Sequence, residues 1–159
     1  LFSDTIRNNI GFGSRADEIT EEELIEVTKA AYVYHNITEF KDKFDTLLGD
    51  RGVNLSGGQK QRVSIARALI RKPEILILDD CLSAVDTETE EAILTNFNKM
   101  KTVTTLIVSH RVSSIRNATQ IINLSEGTIT EKGTHEELLA LNGMYRELYE
   151  KQLAEEAES

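Results

Sequence analysis

The sequence predicts an α/β fold with a largely helical insertion in its first half. Three observations predict it: short apolar runs typical of strands, amphipathic segments that open with helix-capping residues, and the alternation of the two along the chain. The chain has 159 residues, which is the size of one domain and is enough to bury a core.

The first half is predicted to be mainly helical. Residues 1–19 carry turn signals, and the first clear helix follows Thr20, which opens a capping-box pattern. Short helical and loop segments alternate over residues 32–55. The best-defined helix begins at Ser56, a favourable N-cap, and Pro73 stops it.

The second half is predicted to contain the strands. The apolar run 75–78 indicates a strand that is buried on both faces, and residues 103–108 form the next strand. Between them a second capping-box pattern at Thr87 opens a helix. A turn at 126–127 between two β-rich runs indicates a hairpin, and a third capping box at Thr134 precedes two final helices.

The composition disfavours several classes of protein. Lys and Arg number 18 against 27 Asp and Glu, and the formal charge of −9 disfavours a nucleic-acid binder that acts through bulk charge. One cysteine, Cys81, cannot form an internal disulfide, and we expect it to be a small packing residue. No apolar run approaches the roughly 18 residues of a membrane span. The chain opens on Leu1 without an initiator Met or a signal peptide, so we expect a piece of a longer protein.

Residues 55–59, Leu-Ser-Gly-Gly-Gln, form the first candidate site. A hydroxyl and two glycines at a helix start leave backbone N–H groups free, and glycine lets a phosphate approach closely. Ser56, Gly57, Gly58 and Gln59 are therefore candidate phosphate ligands. The alternative is an N-cap followed by a flexible turn, and the motif alone leaves both interpretations open.

Two carboxylates follow the apolar run 75–78. Asp79 and Asp80 are expected at the carboxyl edge of the sheet, where α/β proteins bind ligands. Nucleotide hydrolases of the P-loop class place an Asp there to hold Mg²⁺. The alternative is an N-cap for the following helix.

The histidines differ in context. His110 follows a predicted strand, where it could orient a γ-phosphate and a water by hydrogen bonding, and the alternative is a solvent-facing side chain. His35 and His135 have no supporting context, and both are expected to be surface residues.

The order and spacing of the motifs are more specific than any single motif. Leu-Ser-Gly-Gly-Gln-Lys-Gln-Arg is followed by Ala-Arg-Ala-Leu, Pro73, Ile-Leu-Ile-Leu-Asp-Asp, Ser-Ala-Val-Asp at 83–86 and Ser-His-Arg at 109–111. Over essentially the whole chain this set resembles the nucleotide-binding domain of ATP-binding cassette (ABC) transporters. Residues 1–10 are similar to the segment after the Q-loop glutamine of exporters. Residues 46–52 are similar to the exporter X-loop, which touches the membrane domains.

The resemblance implies a specific version of the α/β fold. It is a P-loop NTPase (RecA-like) three-layer core that lacks its phosphate-loop strand, with a helical subdomain in the first half. By the same resemblance, residues 1–72 contain the segment after the Q-loop and the helical subdomain with the signature motif. Residues 73–159 contain the C-terminal part of the ATPase core with an acidic tail.

The resemblance also implies a role for each candidate residue. Residues 56–59 are the signature motif, which contacts the γ-phosphate of ATP held by a second nucleotide-binding domain. Asp79 is the Walker B aspartate, which supports Mg²⁺ through water, and Asp80 occupies the position of the catalytic glutamate. His110 is the switch histidine, and Asp86 lies in the D-loop, which crosses the dimer interface.

Two departures from the family pattern change the expected activity. The sequence contains no Gly-x-x-x-x-Gly-Lys-Ser/Thr phosphate loop, adenine-stacking aromatic or Q-loop glutamine, all of which would lie upstream of Leu1. We therefore expect this piece alone neither to hold ATP well nor to hydrolyse it. Asp80 stands where Glu is usual, and a carboxylate about 1 Å too short can cost about 10²-fold in rate. Heterodimeric exporters often have one site degenerate in this way, so we expect a different subunit as partner.

The expected function is therefore that of part of an exporter's ATPase domain, which couples ATP binding and hydrolysis to substrate export across a membrane. ATP and Mg²⁺ are the expected cofactors, and the expected location is the cytoplasmic face of the cell membrane. The expected partners are a second nucleotide-binding domain and the transmembrane domains of the same parent chain, with no nucleic acid. One alternative is a soluble cassette ATPase that acts on DNA or ribosomes, which would lack the exporter's roughly six apolar spans. The other is a stand-alone interaction module, which would not need the catalytic motifs.

Overall fold

The computed structural model describes residues 1–13, 19–49, 52–100 and 102–157. Helices and strands alternate through the second half of the chain, as the sequence predicts. The chain divides into two compact units, Leu1–Val108 and Ser109–Ser159. The division expected between residues 72 and 73 concerns the subdomains of the family, and it stays a prediction.

The first unit is built around a central helix, α4. Its described helices are α1 (Ile6–Ile10), α2 (Glu21–Ala30), α3 (Tyr34–Glu39), α4 (Gly57–Leu69) and α5 (Thr87–Lys99), with a 3₁₀ turn at Lys43–Asp45. Helix α4 packs against α1 and α2. The wholly buried side chains Ile10, Leu24, Val63 and Ile93 come from four different helices and belong to one apolar core.

The helix starts predicted at Thr20 and Ser56 are confirmed. The Thr20 hydroxyl accepts a hydrogen bond from the backbone N–H of Glu23, whose carboxylate accepts one from the Thr20 N–H in return. Helix α4 ends at Leu69, a few residues before Pro73. Residues 1–19 carry the predicted turn signals, and within them Thr5 caps the short helix α1. Ser14, part of the predicted turn, lies outside the described residues.

An arginine connects the C-terminal half of α4 to the opening segment. The Arg67 guanidinium donates a hydrogen bond of 2.9 Å to Oδ1 of the buried Asn9 and lies 5.3 Å from the centre of the Phe2 ring. The Asn9 amide in turn donates to the backbone carbonyl of Phe2 at 3.0 Å. Polar groups buried in this way are stabilising because each has a partner. The opening segment is therefore held on α4 by side-chain contacts.

The first sheet is parallel, and its first strand is buried on one face only. Strand β1 (Ile75–Asp79) pairs with β2 (Thr104–Val108), with Ile75 opposite Thr104 and Asp79 opposite Val108. Leu76 and Leu78 are buried, whereas Ile75 and Ile77 are 63% and 64% exposed. The expectation that the run 75–78 is buried on both faces is therefore wrong for this chain. Side chains alternate across a strand, and the described helices cover only the face of Leu76 and Leu78.

Helix α5 begins at Thr87, so its N-cap is one residue earlier than predicted. Asp86, in extended backbone conformation, accepts a 2.9 Å hydrogen bond from the Thr89 N–H, so the capping box expected at Thr87 is wrong. The reason is that Asp is at least as good an N-cap as Thr, and here it precedes Thr87. Ile93 and Phe97 of α5 are buried. Leu94 and Met100 are partly buried against the same core.

The second unit contains a hairpin and helices on both sides of it. Its described elements are α6 (Val112–Ile115), β3 (Ile121–Ser125), β4 (Thr128–Gly133), α7 (His135–Ala140) and α8 (Met144–Ala157). The hairpin is confirmed: β3 and β4 are antiparallel, and Glu126 and Gly127 both have positive φ, as a type I′ turn requires. The capping box at Thr134 is also confirmed. No helix within the described ranges is long and apolar enough to cross a membrane.

One of the two histidines expected at the surface is packed in the second unit. His135 Nδ1 lies 2.8 Å from the hydroxyl of Tyr145, and its ring packs edge-on against Tyr149. The surface expectation is therefore wrong for His135, because α8 brings these two tyrosines onto it. Burial raises the pKa of Tyr145. His35 is exposed, as expected.

The one-sided burial of β1 predicts a difference between two adjacent residues. Leu78→Ala should lower the free energy of unfolding by about 2–5 kcal/mol, because it leaves a cavity in the core. Ile77→Ala should lower it by less than about 1 kcal/mol, because that side chain is already exposed. Urea unfolding of both variants measures the difference. Equal losses would show that the Ile77 face is also buried in solution.

Candidate functional site

The four candidate phosphate ligands lie at the N-terminus of α4. Ser56 Oγ accepts a 3.2 Å hydrogen bond from the Gln59 N–H, and Gln59 Oε1 accepts one of 2.9 Å from the Ser56 N–H. Ser56 is thus an N-cap, as one of the two interpretations held. The backbone N–H groups of Gly57 and Gly58 have no acceptor among the residues that the structure describes. The first turn therefore presents free donors at the positive end of a helix of 13 residues.

The two glycines of this turn differ in their surroundings. A Cβ on Gly58 would lie 2.7 Å from the backbone oxygen of Ala84, closer than real Cβ atoms approach. A Cβ on Gly57 would lie 3.5 Å from the Ala84 Cβ, which is ordinary van der Waals contact. Close packing therefore requires glycine at 58, whereas the fold itself does not require it at 57. Gly57 is the better candidate for a position where a ligand approaches the backbone.

The segment 80–86, which follows β1, forms a turn that packs on α4. Gln61 Nε2 donates a 3.1 Å hydrogen bond to Ser83 Oγ, and the Ala84 N–H donates one of 3.0 Å to Gln61 Oε1. Ser83 Oγ also donates to the backbone oxygen of Asp80 at 3.0 Å. Sequence reasoning missed Gln61, whose only signal was its place in Leu-Ser-Gly-Gly-Gln-Lys-Gln-Arg.

The two carboxylates lie at the carboxyl edge of the first sheet, as predicted. Asp79 is the last residue of β1, and both Asp79 and Asp80 are exposed. Asp80 has φ +49°, in the left-handed region, and its N–H donates to the Val108 carbonyl at 3.0 Å. Such a backbone costs on the order of 1 kcal/mol and persists where neighbours hold it. The alternative interpretation as an N-cap is wrong for both residues, because Asp86 caps α5.

Asp86 is held as an anion beside α4. The Thr89 N–H holds the pKa of the Asp86 carboxyl below its usual range, and the nearby Arg62 guanidinium lowers it further. Arg62 donates to the Gly58 carbonyl at 3.3 Å and to the Tyr32 carbonyl, and its burial lowers its own pKa. The predicted D-loop residue is therefore charged at neutral pH and caps a helix of its own chain.

His110 and Cys81 follow the two strands of the first sheet. His110 belongs to the second unit and is exposed, and its backbone carbonyl accepts a 2.7 Å hydrogen bond from Gln152 Nε2. Its predicted contact with a γ-phosphate stays a prediction. Cys81 is partly buried against the core of the first unit, which confirms the packing role expected for it.

The donor set fits Mg²⁺ bound together with a nucleotide. Magnesium is usually held by one or two carboxylates, with substrate phosphates and waters as the other ligands. Asp79 is an exposed carboxylate at a sheet edge, which suits that arrangement. Among the described residues, no group of three His, Cys, Asp or Glu side chains could hold a metal by itself. The nucleotide would therefore have to complete the coordination.

The predicted X-loop, residues 46–52, and the residue after it present apolar side chains. Leu47 lies within the loop and is 46% exposed, and Val53 follows it and is 37% exposed. The Val53 N–H donates a 2.9 Å hydrogen bond to the Leu47 carbonyl. A pocket of about 230 Å³ lies between residues 48–49 and 53–55 and the opening residues 1–3. Exposed apolar side chains around a pocket are typical of a contact surface. Asp50 and Arg51, also part of the predicted loop, lie outside the described residues.

Comparison with known proteins agrees with the motifs. A family model described as "ABC transporter" matches residues 2–83. The chain is 50% identical over 153 residues to the ATP-dependent lipid A-core flippase of Desulfotalea psychrophila, covering 96% of this chain and 26% of the flippase. It is 48% identical over 149 residues to ATP-binding cassette sub-family B member 5 of Homo sapiens, covering 93% of this chain and 12% of that protein. It thus spans about a quarter of the flippase and less of the human relative.

A solved structure shows the same fold. The structure of a bacterial Atm1-family ABC exporter with ATP bound is similar to this chain with a TM-score of 0.88 and 39% identity. The match covers 96% of this chain and 27% of the exporter chain. The predicted fold class, an α/β P-loop NTPase with a helical first half, is therefore confirmed.

The different surroundings of the two glycines predict different effects on stability. Gly58→Ala should lower the free energy of unfolding by about 1–3 kcal/mol, because its methyl group overlaps the Ala84 carbonyl. Gly57→Ala should change it by less than about 1 kcal/mol, because the methyl group has room and alanine favours the helix. Thermal unfolding of the two variants is the measurement. Equal destabilisation would mean that the turn 80–86 does not approach Gly58 as closely as described.

Proposed function

Because the chain belongs to the ABC transporter family, we propose that it is part of the ATPase domain of an exporter. The complete protein couples ATP binding and hydrolysis to the export of a substrate across a membrane. The observation that carries this proposal is the N-terminus of α4, where Gly57 and Gly58 present free N–H groups. Packing does not require glycine at position 57. The printed names of the flippase and of the ATP-bound exporter support the export function.

The chain contributes phosphate-binding groups to a site that a second domain completes. Gly57 and Gly58 donate their N–H groups to the γ-phosphate of ATP held by the second nucleotide-binding domain, with Ser56 and Gln59 at the same turn. Donors that are already in position stabilise the charge of the transferring phosphoryl group without reorganisation. The sequence has no phosphate loop of its own, so the adenine and the other phosphates are held by other parts of the assembly.

The carboxylates at the sheet edge serve the other nucleotide site. Asp79 would support Mg²⁺ through water, and the metal would neutralise negative charge on the phosphates. Asp80 orients the attacking water and accepts its proton, but its shorter side chain makes this site slow. His110, as the switch histidine, orients a γ-phosphate and a water. Asp86 meets the second domain across the dimer interface.

The roles proposed for this chain at the two nucleotide sites indicate its partners. A slow site of its own and an intact signature motif suit a heterodimer, in which the second subunit carries the competent catalytic carboxylate. The exposed apolar side chains Leu47 and Val53 suit contact with transmembrane domains. They support the proposed location at the cytoplasmic face of the membrane. The net charge of −9 argues against nucleic acid as a partner. The exporters among the relatives disfavour the soluble cassette ATPase.

The 159-residue chain by itself should bind Mg-ATP negligibly. The physical reason is that it has no phosphate loop, whose backbone N–H groups and lysine make most phosphate contacts. Titration calorimetry with millimolar Mg-ATP should therefore show no saturable heat. Saturable binding in the low micromolar range would contradict this part of the proposal.

In the full-length transporter, co-expressed with its unmodified partner in lipid, two substitutions should have unequal effects. Asp80→Asn should reduce steady-state ATPase less than about threefold, because that site is already slow. Gly57→Glu should reduce it about 10²-fold or more, because a carboxylate then occupies the place of the γ-phosphate.

Asp80→Glu serves as the matched control, because it restores the usual length of the catalytic side chain and should leave or raise the rate. If Asp80→Asn silenced the transporter as completely as Gly57→Glu, Asp80 would be a working general base. A homodimer with two equal sites would then replace the heterodimer.

A further inference from the structure

Gln61 lies about one helical turn beyond Gly57 on α4 and is half-buried. Both ends of its amide bind the turn 80–86: the Nε2 group donates to Ser83 Oγ, and Oε1 accepts from the Ala84 N–H. The orientation of the amide is determined, because the Ala84 N–H can only face an acceptor. One side chain therefore anchors two consecutive residues of the turn.

Gln61 binds the two residues of the turn that do not pack into the apolar core. Leu82 and Val85 are buried in the apolar core of the first unit, whereas Ser83 and Ala84 are exposed. Without Gln61, Ser83 would lose its hydrogen bond to α4. The contacts that the structure describes between Ala84 and α4 would then be van der Waals packing against the two glycines. Each hydrogen bond makes a favourable contribution to stability, so the two bonds of the half-buried Gln61 amide restrict this segment.

Ala84 forms one wall of the phosphate-binding N-terminus. If Gly57 or Gly58 carried a Cβ atom, the residue nearest to that atom would be Ala84. A shift of the turn therefore changes the space beside the free N–H groups of the first turn of α4.

We propose that Gln61 is a positioning residue for phosphate binding. By holding Ser83 and Ala84, it sets the distance between the turn and the N-terminus of α4, and thereby the geometry in which that N-terminus receives the γ-phosphate of ATP. This inference rests on the proposed function of the chain as part of an exporter ATPase. It assigns to Gln61 an effect on the site that the partner subunit's ATP occupies.

The same contacts offer a second way in which Gln61 would affect ATPase activity, through Asp80, and it predicts a different result. Ser83 Oγ also binds the backbone of Asp80, so Gln61 would act on the chain's own slow site if that bond were what matters. The two routes separate in an Asp80→Asn background. An effect through the partner's site persists there, whereas an effect through the Asp80 carboxylate disappears.

The experiment measures ATPase of the full-length transporter, co-expressed with its unmodified partner, over a range of ATP concentrations. Gln61→Met keeps the length of the side chain and removes both hydrogen bonds, so it should fold with a thermal midpoint close to that of the wild type. We expect kcat to fall about tenfold while KM for ATP stays within about twofold, because a small displacement from the reactive geometry affects the transition state. The same fold loss should appear when Gln61→Met is combined with Asp80→Asn.

Ser64→Ala is the matched control. Ser64 is exposed on the same helix, and among the residues that the structure describes its hydroxyl binds only the backbone carbonyl of Lys60, in the helix itself. This variant should have the wild-type kcat and KM. An unchanged kcat in Gln61→Met, a rise in KM alone, or a loss of kcat that vanishes with Asp80→Asn would overturn the inference. A wild-type transporter without ATPase activity would instead overturn the proposed function, and the inference with it.

Discussion

The contact between the first turn of α4 and the turn 80–86 is the constraint on which the candidate site depends. The Ala84 carbonyl approaches so closely that residue 58 has no room for a side chain, and Gln61 binds the same turn through both ends of its amide. The helix that presents the N–H donors and the segment that carries the carboxylates are thereby joined within one unit. A displacement of either element would be transmitted to the other through these few contacts.

The same turn explains what aspartate contributes at position 80. Its backbone has φ +49°, a conformation in which Asp occurs more often than longer side chains because its short polar group bonds locally. A glutamate would reach further towards a water but would gain less from this backbone. Aspartate at position 80 therefore suits the backbone of the turn, but its side chain extends less far than that of glutamate. This is consistent with a subunit that contributes its signature motif more than its own catalytic carboxylate.

Features that depend on neighbouring residues in the chain could be predicted from the sequence. The caps at Thr20, Ser56 and Thr134 follow from hydroxyls placed before amphipathic segments, and the conjunction of motifs predicted the fold. The remaining features depend on tertiary neighbours. The exposed face of β1 reflects which helices cover the sheet, and the packing of His135 depends on two tyrosines of α8. Gln61 could not be recognised because its partners are more than twenty residues away along the chain.

Hydrogen exchange at the Ala84 amide tests the central contact most directly. Ala84 is an exposed residue in a turn, where amides ordinarily exchange fast unless a hydrogen bond protects them. If its N–H donates to Gln61 as described, it should exchange at least about tenfold more slowly in the wild-type chain than in Gln61→Met. Exchange at the unprotected rate in both proteins would show that the turn is not held on α4, and the account of the site would be contradicted.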